Sequence, residues 1–404
     1  MVPERATAGS VSPLDLTDPA AMVENDPYVY WESMRGRAPV AWHESPIGPG
    51  FWSVARHADV LAAYKDAARL SSARGTVLDV LLRGGDSAGG RMLAVMDRPR
   101  HRDLRRVLLR AFSPRLIRRL EKQVMARADA LVADVVGAGS FDFAAAVADV
   151  LPINTICDLL ELPQSDRPDL LAWNKRTLSF LDDRADPVDA LEARNEIIDY
   201  FVDVARERQR RPGDDVISLL AGALVEGERL SDDEIALNCY SLILGGEEST
   251  RMSLIGALDA LGRHDDQWHR LTAGSAGIDT AVEEVLRWIT PAMHFARTAT
   301  CDLRIGGQHI RAGDIVSLWN ISANNDPEVF HQPRTFDVGR HPNPHVALGH
   351  GPHFCLGAFL GRLELTAVLT SLLRRARTIE VLARPRRVYS TFLYGYTGLQ
   401  LALG

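Results

Sequence analysis

The chain has 404 residues, 46% hydrophobic, 25% charged and 7% aromatic, with a formal net charge of -7. This is a globular composition, outside the low-hydrophobicity, high-charge range of disordered chains, and it contains no run of about 18 uncharged apolar residues that could span a bilayer. The four cysteines, Cys157, Cys239, Cys301 and Cys355, lie far apart without a CxxC pair, which argues against a disulfide framework and against a zinc finger.

In chain order, residues 1–25 are punctuated by Pro and Asp and read as an irregular N-terminal segment. They lack the basic-then-apolar layout of a secretory signal, so a cytoplasmic address is the default. A short helix, PYVYWESMRG, leads to PVAWHES and GFWSVAR, two aromatic and β-branched runs split by Pro46, Gly48, Pro49 and Gly50, which read as a hairpin. A helix around His57 to Asp66 is followed by a glycine-rich connection, Arg83 to Arg91, with the composition of a mobile lid. From Pro99 to Gly262 the pattern is helical almost throughout. The last of these helices starts at a capping box, Ser231 with Glu234, supported by Asp232 and Asp233 at the positive end of the dipole. Continued to Gly262 it is about 48 Å long at 1.5 Å per residue. A further helix spans Thr280 to Ile289. Short strands, a Pro- and His-rich stretch, a helix from Leu356 and a terminal hairpin complete an α+β chain, mostly α-helical with minor β-sheets, read as one domain over residues 1–404.

The strongest local signal is VALGHGPHFCLGAFLGRLEL, Val346 to Leu365. Cys355 sits among Gly349, Gly351 and Gly357 just before a helix, where the dipole and free N–H groups stabilise a thiolate. The glycines let backbone approach a bulky flat ligand. The bland reading is a small buried cysteine at a turn. A metal site is a second alternative, because His341, His345, His350 and His353 crowd the same stretch, although their spacing is not that of a zinc site. Elsewhere, Glu284 and Arg287 stand at i, i+3 on one helix face. Two consecutive glycines, Gly245 and Gly246, interrupt a helix at about 1 kcal/mol each relative to alanine. His101 and Arg105, at i, i+4, can reach one anionic group.

Together Gly349, Gly351, His353, Cys355, Leu356 and Gly357 resemble the haem-binding loop of the cytochrome P-450 monooxygenases. In that family the cysteine thiolate is the axial ligand of haem iron, so the resemblance assigns Cys355 as the metal ligand of haem b, with Gly349 and Gly357 against the cofactor. It also implies roles for separated motifs occurring in the family's order. Glu284, Arg287 and Arg340, from EEVLRW and FDVGR, become a buried structural network below the haem. His101, Arg105, Arg297 and His353 become the propionate-binding set. Glu248 and Ser249, in LILGGEEST, become the acid–alcohol pair that relays protons beside a widened turn of the long helix. Ser249 departs from the usual threonine and Leu348 from the usual phenylalanine.

The same resemblance implies a cytochrome P-450 fold and a soluble bacterial-type enzyme. It would insert one oxygen atom from O2 into a C–H or C=C bond, drawing NAD(P)H-derived electrons through a ferredoxin reductase and a ferredoxin. Its distal pocket should include Leu242, Gly245, Met293, His294, Phe392 and Leu393, suiting a medium-sized, largely apolar natural-product intermediate, free or carrier-protein-bound. Between Arg98 and Arg119 there are nine arginines and one acid, Asp103. The resemblance places them on the face where an acidic electron donor would dock, steered by opposite charge. Only Lys65, Lys122 and Lys175 are lysine, so arginine abundance by itself reflects coding bias. Nucleic acid is disfavoured by the acidic balance. A monomer is the prior. Peroxide-driven chemistry, non-oxygenase chemistry and a catalytically weak partner-binding role are the alternatives.

Overall fold

The computed structural model describes residues 14–177 and 186–404. Asp18 accepts a hydrogen bond from the Ala20 N–H and starts a short helix, Pro19–Glu24. The stretch expected to be irregular therefore contains a capped helix, while residues 1–13 fall outside the described residues. Asp26 caps Pro27–Arg37 in the same way, again with proline in the first turn, where its missing N–H has no intrahelical partner to lose.

The expected hairpin forms. Val40–His43 pairs antiparallel with Phe51–Val54, with Trp42 against Trp52 at 5.5 Å between ring centres. Ile315–Trp319 lies parallel to Phe51–Val54 and antiparallel to His294–Ala299, whose other edge pairs with Leu70–Ser71. This five-stranded sheet joins segments far apart in sequence and covers a core of Trp31, Met34, Phe51, Leu81 and Trp319.

The helical half is built around Asp232–Arg263, a helix of 32 residues whose capping box is formed as read. It buries Ile235, Cys239, Ile243, Ile255, Leu258 and Leu261, residues from several of its sides, as a helix in the middle of a core must. Leu151–Leu159, Pro187–Arg210 and Ala358–Arg375 pack against it, and Pro114–Val135 packs on the first and last of these. The run read as helical almost throughout holds three short strands among its described residues. Ser140–Asp142 pairs with Gln400–Leu403, which also pairs with Ile379–Val381, and Leu224–Val225 turns back onto Glu228–Arg229.

The glycine-rich connection differs from the mobile lid expected of it. Gly85 N–H bonds to Val80 O, Asp86 N–H to Arg74 O and Gly90 N–H to Val95 O, and Ala88 is buried against Val95 and Leu237. Its glycines serve tight turns: a side chain at Gly89 would meet the Ala73 carbonyl at 2.5 Å. The helix after Cys355 starts at Ala358, two residues later than read, with Gly357 as its N-cap. Among the described residues no helix is long and apolar enough to cross a membrane.

Candidate functional site

Cys355 ends a loop held by its own backbone. Its N–H bonds to Leu348 O at 2.9 Å, Gly349 N–H to Val346 O and Phe354 N–H to Gly351 O. Gly351 has φ +70, and a Cβ there would stand 2.6 Å from the Tyr64 carbonyl, so only glycine fits. Burial pushes the Cys355 thiol up, while the Gly357 N–H, Arg105 and Arg362 pull it back toward the thiolate.

The loop is anchored through Glu284, which has no exposed surface. Its two oxygens accept from Arg287 Nε and Nη2, both at 2.8 Å, from Arg340 Nε at 3.0 Å, and from the Asp337 N–H at 3.0 Å. Asn343 Nδ2 donates to it as well, at 3.1 Å, a partner that the motif reading missed. Both guanidiniums then spread onto carbonyls: Arg287 reaches Asn324 and Pro333, and Arg340 reaches His331 and Thr335. The adjacent Glu283, also unread, ties the same helix to the one after Cys355. It takes Arg362 Nε at 2.5 Å and Nη2 at 2.8 Å, and His345 Nε2 stands 3.0 Å away. Burial works against ionising Glu283, but Arg362 and His345 overcome it and hold the carboxyl at about 2. The second acid of the EE pair was the available signal.

Four of the predicted cofactor residues converge beside this loop. The rings of His101 and His353 lie 4.1 Å apart, and Arg105 Nη2 donates to Phe354 O at 2.7 Å. Arg297 is buried, stacked 5.7 Å from the Tyr64 ring centre. Burial and the neighbouring cations depress both imidazoles, His101 to about 4 and His353 to about 2. Among the described residues no carboxylate forms an ion pair with Arg105 or Arg297, and His101 Nε2 is buried without a partner. Cations gathered in low dielectric around an unsatisfied ring nitrogen suit an anionic group. These residues therefore fit haem, with its two propionates. The crowding histidines do not gather on a metal: His345 goes to Glu283 and His353 to His101.

On the long helix, a Cβ at Gly246 would meet Ile156 Cδ1 at 2.5 Å, whereas at Gly245 nothing lies within 4 Å. One glycine is required by packing, and the other opens a face. The expected widened turn is not formed, because α-helix runs unbroken through this segment. Ser249 Oγ instead donates back to Gly245 O at 3.1 Å, the local bond open to a mid-helix serine. Thr250 turns the other way, toward Glu364 on the helix after Cys355, a buried acid pushed up to about 8. Glu248 is buried and faces Arg251 at 3.1 Å, and burial raises its pKa against that neighbour's pull.

The residues predicted for the distal pocket divide. Phe392 and Leu393 cluster with Leu244 and Met252 of the long helix, and Phe392 meets Phe295 at 5.7 Å. Leu242 packs into the main core. Met293 belongs to the core under the sheet. His294 is fully buried, its Nε2 accepting from the Leu78 N–H and its ring against Trp319. Strand alternation gives His294 and Phe295 opposite sides, yet Phe392 meets both rings, His294 edge-on at 5.5 Å.

Fold and site together define a haem-thiolate oxygenase. A family model described as Cytochrome P450 matches residues 278–384. Cytochrome P450 NovI of Streptomyces niveus is 39% identical, over 98% of this chain and 99% of its own length. A steroid C26-monooxygenase of Mycobacterium bovis is 33% identical over 94% and 90% of the two chains. The crystal structure of P450 OxyD, which is involved in the biosynthesis of vancomycin-type antibiotics, superposes with a TM-score of 0.88 at 32% identity, covering 97% of this chain and 99% of that one. The chain belongs to the cytochrome P450 family, of the bacterial type, and is a P450 monooxygenase.

Two outcomes follow from the ionic anchors. Glu284→Gln leaves Arg287 and Arg340 buried against a neutral amide, and chemical denaturation should show a loss of about 3–5 kcal/mol. Glu283 is depressed in the folded state, so its contribution is present above its unfolded value and fades as pH falls toward 2. After discounting for solvent, this is about 1–2 kcal/mol, and Glu283→Gln should flatten the stability profile between pH 5 and 2, measured by urea unfolding.

Proposed function

We propose that this monooxygenase uses Cys355 as the axial thiolate of haem b and inserts one oxygen atom from O2 into a C–H or C=C bond of a medium-sized, largely apolar natural-product intermediate. The observation that carries this reading is the convergence of His101, Arg105, Arg297 and His353, without a carboxylate partner, on the loop that ends in Cys355. When bound, haem supplies oxygen binding and reduction, with the thiolate pushing electron density toward the iron. The chain's own residues then have separable tasks. Arg105 and Arg297 would neutralise the propionates, and the two imidazoles would hydrogen-bond to them. Glu364 and Thr250 pack the long helix onto the helix after Cys355. Glu248, raised by burial against the pull of Arg251, would hand on a proton, and Ser249 would pass it on by turning its hydroxyl from Gly245 O toward the face that Gly245 leaves open.

The apolar cluster of Leu244, Met252, Phe392 and Leu393 supports a largely apolar substrate. Antibiotic biosynthesis as the setting of P450 OxyD supports a peptide-derived or polyketide intermediate rather than a steroid. Electrons would come from a ferredoxin on the arginine-rich face. There Arg102 and Arg106 have side chains 59% and 60% exposed, and Leu109, Phe354 and Phe359 add exposed apolar surface. Opposite charge would steer an acidic donor to this patch.

The dithionite-reduced holoenzyme under carbon monoxide should give the strongly red-shifted Soret band of a thiolate-ligated haem, and Cys355→Ser should lose it. A histidine-type spectrum in fresh native protein would refute the reading. Ser249→Ala should divert a larger share of consumed NAD(P)H to hydrogen peroxide, on the order of ten-fold less product per electron pair, as expected for losing a proton-transfer group. Unchanged coupling would place the proton path elsewhere.

A further inference from the structure

Between Ser140–Asp142 and Leu151–Leu159 the backbone is wound as a π-helix over Ala144–Ala148. The Asp149 N–H reaches back five residues to Ala144 O at 2.8 Å. Such a turn holds one residue more than an α-turn, so it swings the residue after it around the axis, and π-turns recur at functional sites. Here the residue after it is Asp149, which is 8% exposed. Its Oδ1 accepts from Arg251 Nε at 2.6 Å, and its Oδ2 lies 3.0 Å from Lys175 Nζ. Arg251 in turn donates Nη1 to Glu248 Oε1 at 3.1 Å and Nη2 to the Thr397 carbonyl at 2.6 Å.

The result is a continuous ionic chain, Glu248 to Arg251 to Asp149 to Lys175. It begins at a buried acid and ends on a lysine whose side chain is 53% exposed. It is drawn from three elements: the long helix, the π-turn and the Arg167–Thr177 helix. Glu247, the other buried acid on the long helix, stands outside the chain and bonds Asn174 Nδ2 at 2.6 Å.

We propose that Asp149 is a positioning residue for oxygen activation: it fixes Arg251, and through Arg251 the Glu248 carboxyl, and with Lys175 it links that carboxyl to solvent. This rests on the reading of Glu248 as a proton-delivering group. The alternative is a clamp that merely holds three helices together, and the two part at the reaction: a clamp leaves the pH profile of the peroxide fraction where it was.

Glu248 is faced by Arg251 and Glu247 from its own helix, by Asp149 from the π-turn and, beyond Asp149, by Lys175. Burial raises it, Arg251 opposes that, and Asp149 adds to it. Removing the Asp149 charge should therefore move Glu248 titration to lower pH. Removing Lys175 leaves Asp149 less compensated and should move it to higher pH. Opposite signs show that both charges are felt at Glu248, and a parallel shift of the peroxide fraction, which a mere clamp would leave unmoved, shows that the coupling reaches oxygen activation.

The test is an infrared titration of the buried carboxylic acid in an E247Q background, with the Glu248 band identified by its loss in the E247Q/E248Q protein. Asp149→Asn should lower the midpoint by about one pH unit, and Lys175→Met should raise it by less. In the holoenzyme, the pH profile of the peroxide fraction should move in the same two directions. Midpoints equal to the parent's, or shifted the same way in both variants, overturn the proposal. Should Asp149→Asn fail to fold, the half-exposed Lys175 variant decides it by the sign of its shift. An E248Q protein that couples normally would refute the role of Glu248 itself, a result separate from the infrared shifts.

Discussion

A carboxylate with no exposed surface must be neutralised where it lies, and Glu284 is that carboxylate. A single ion pair would leave lone pairs unsatisfied in low dielectric, so the site takes two guanidiniums, a side-chain amide and a backbone N–H. Each guanidinium has donors left over, and these collect carbonyls from residues 324 to 335. The irregular stretch before the cysteine is thereby pinned without secondary structure of its own. Replacing such a cluster with apolar residues need not cost stability, but it would lose the single arrangement that the charges enforce. The position of Cys355 depends on that arrangement.

Glu283 complements this from the adjacent position. The two acids are neighbours in sequence but take different targets. Glu284 faces the loop before the cysteine, and Glu283 reaches Arg362 on the helix after it. One helix therefore grips both ends of the segment that carries Cys355. The opposite face is built on another principle. There Gly246 lets the long helix touch Ile156, Gly245 leaves a face open, and the contacts of Phe392 and Leu393 are apolar and undirected. Directional ionic bonds fix the Cys355 side, and apolar contacts line the other.

What could be read from the sequence followed the same division. Glu284, Arg287, Arg340, Cys355, His101 and Arg105 were legible because each position demands one chemical type at a fixed spacing. The long helix was legible because its start is encoded locally, by Ser231 and Glu234 three residues apart. The π-turn was not, since AAAVA carries no side-chain signal for winding, and the widened turn expected at Gly245 is an ordinary α-turn. Nor was the pairing of Asp149 with Arg251, which are 102 residues apart and free to choose among many arginines. Met293 and His294 were read as pocket residues; Met293 packs into the core under the sheet, while His294 sits buried beside Trp319 with its ring edge-on to Phe392.

The cation cluster shows how far chemistry can specify a partner. Burial first and then the neighbouring arginines depress both His101 and His353, so this cluster disfavours further positive charge until an anion arrives. Arg105 and Arg297 are themselves depressed by burial. A protein selected for stability alone would place a carboxylate here, as it does for Arg287, Arg251 and Arg362. The unmet requirement is for an anion, so a group that brings its own carboxylates stabilises the fold by binding it. Cys355 would be the residue to hold the metal of such a group. Cations on one side and the Cys355 sulfur on the other make a joint demand that an anionic metal-carrying group would meet.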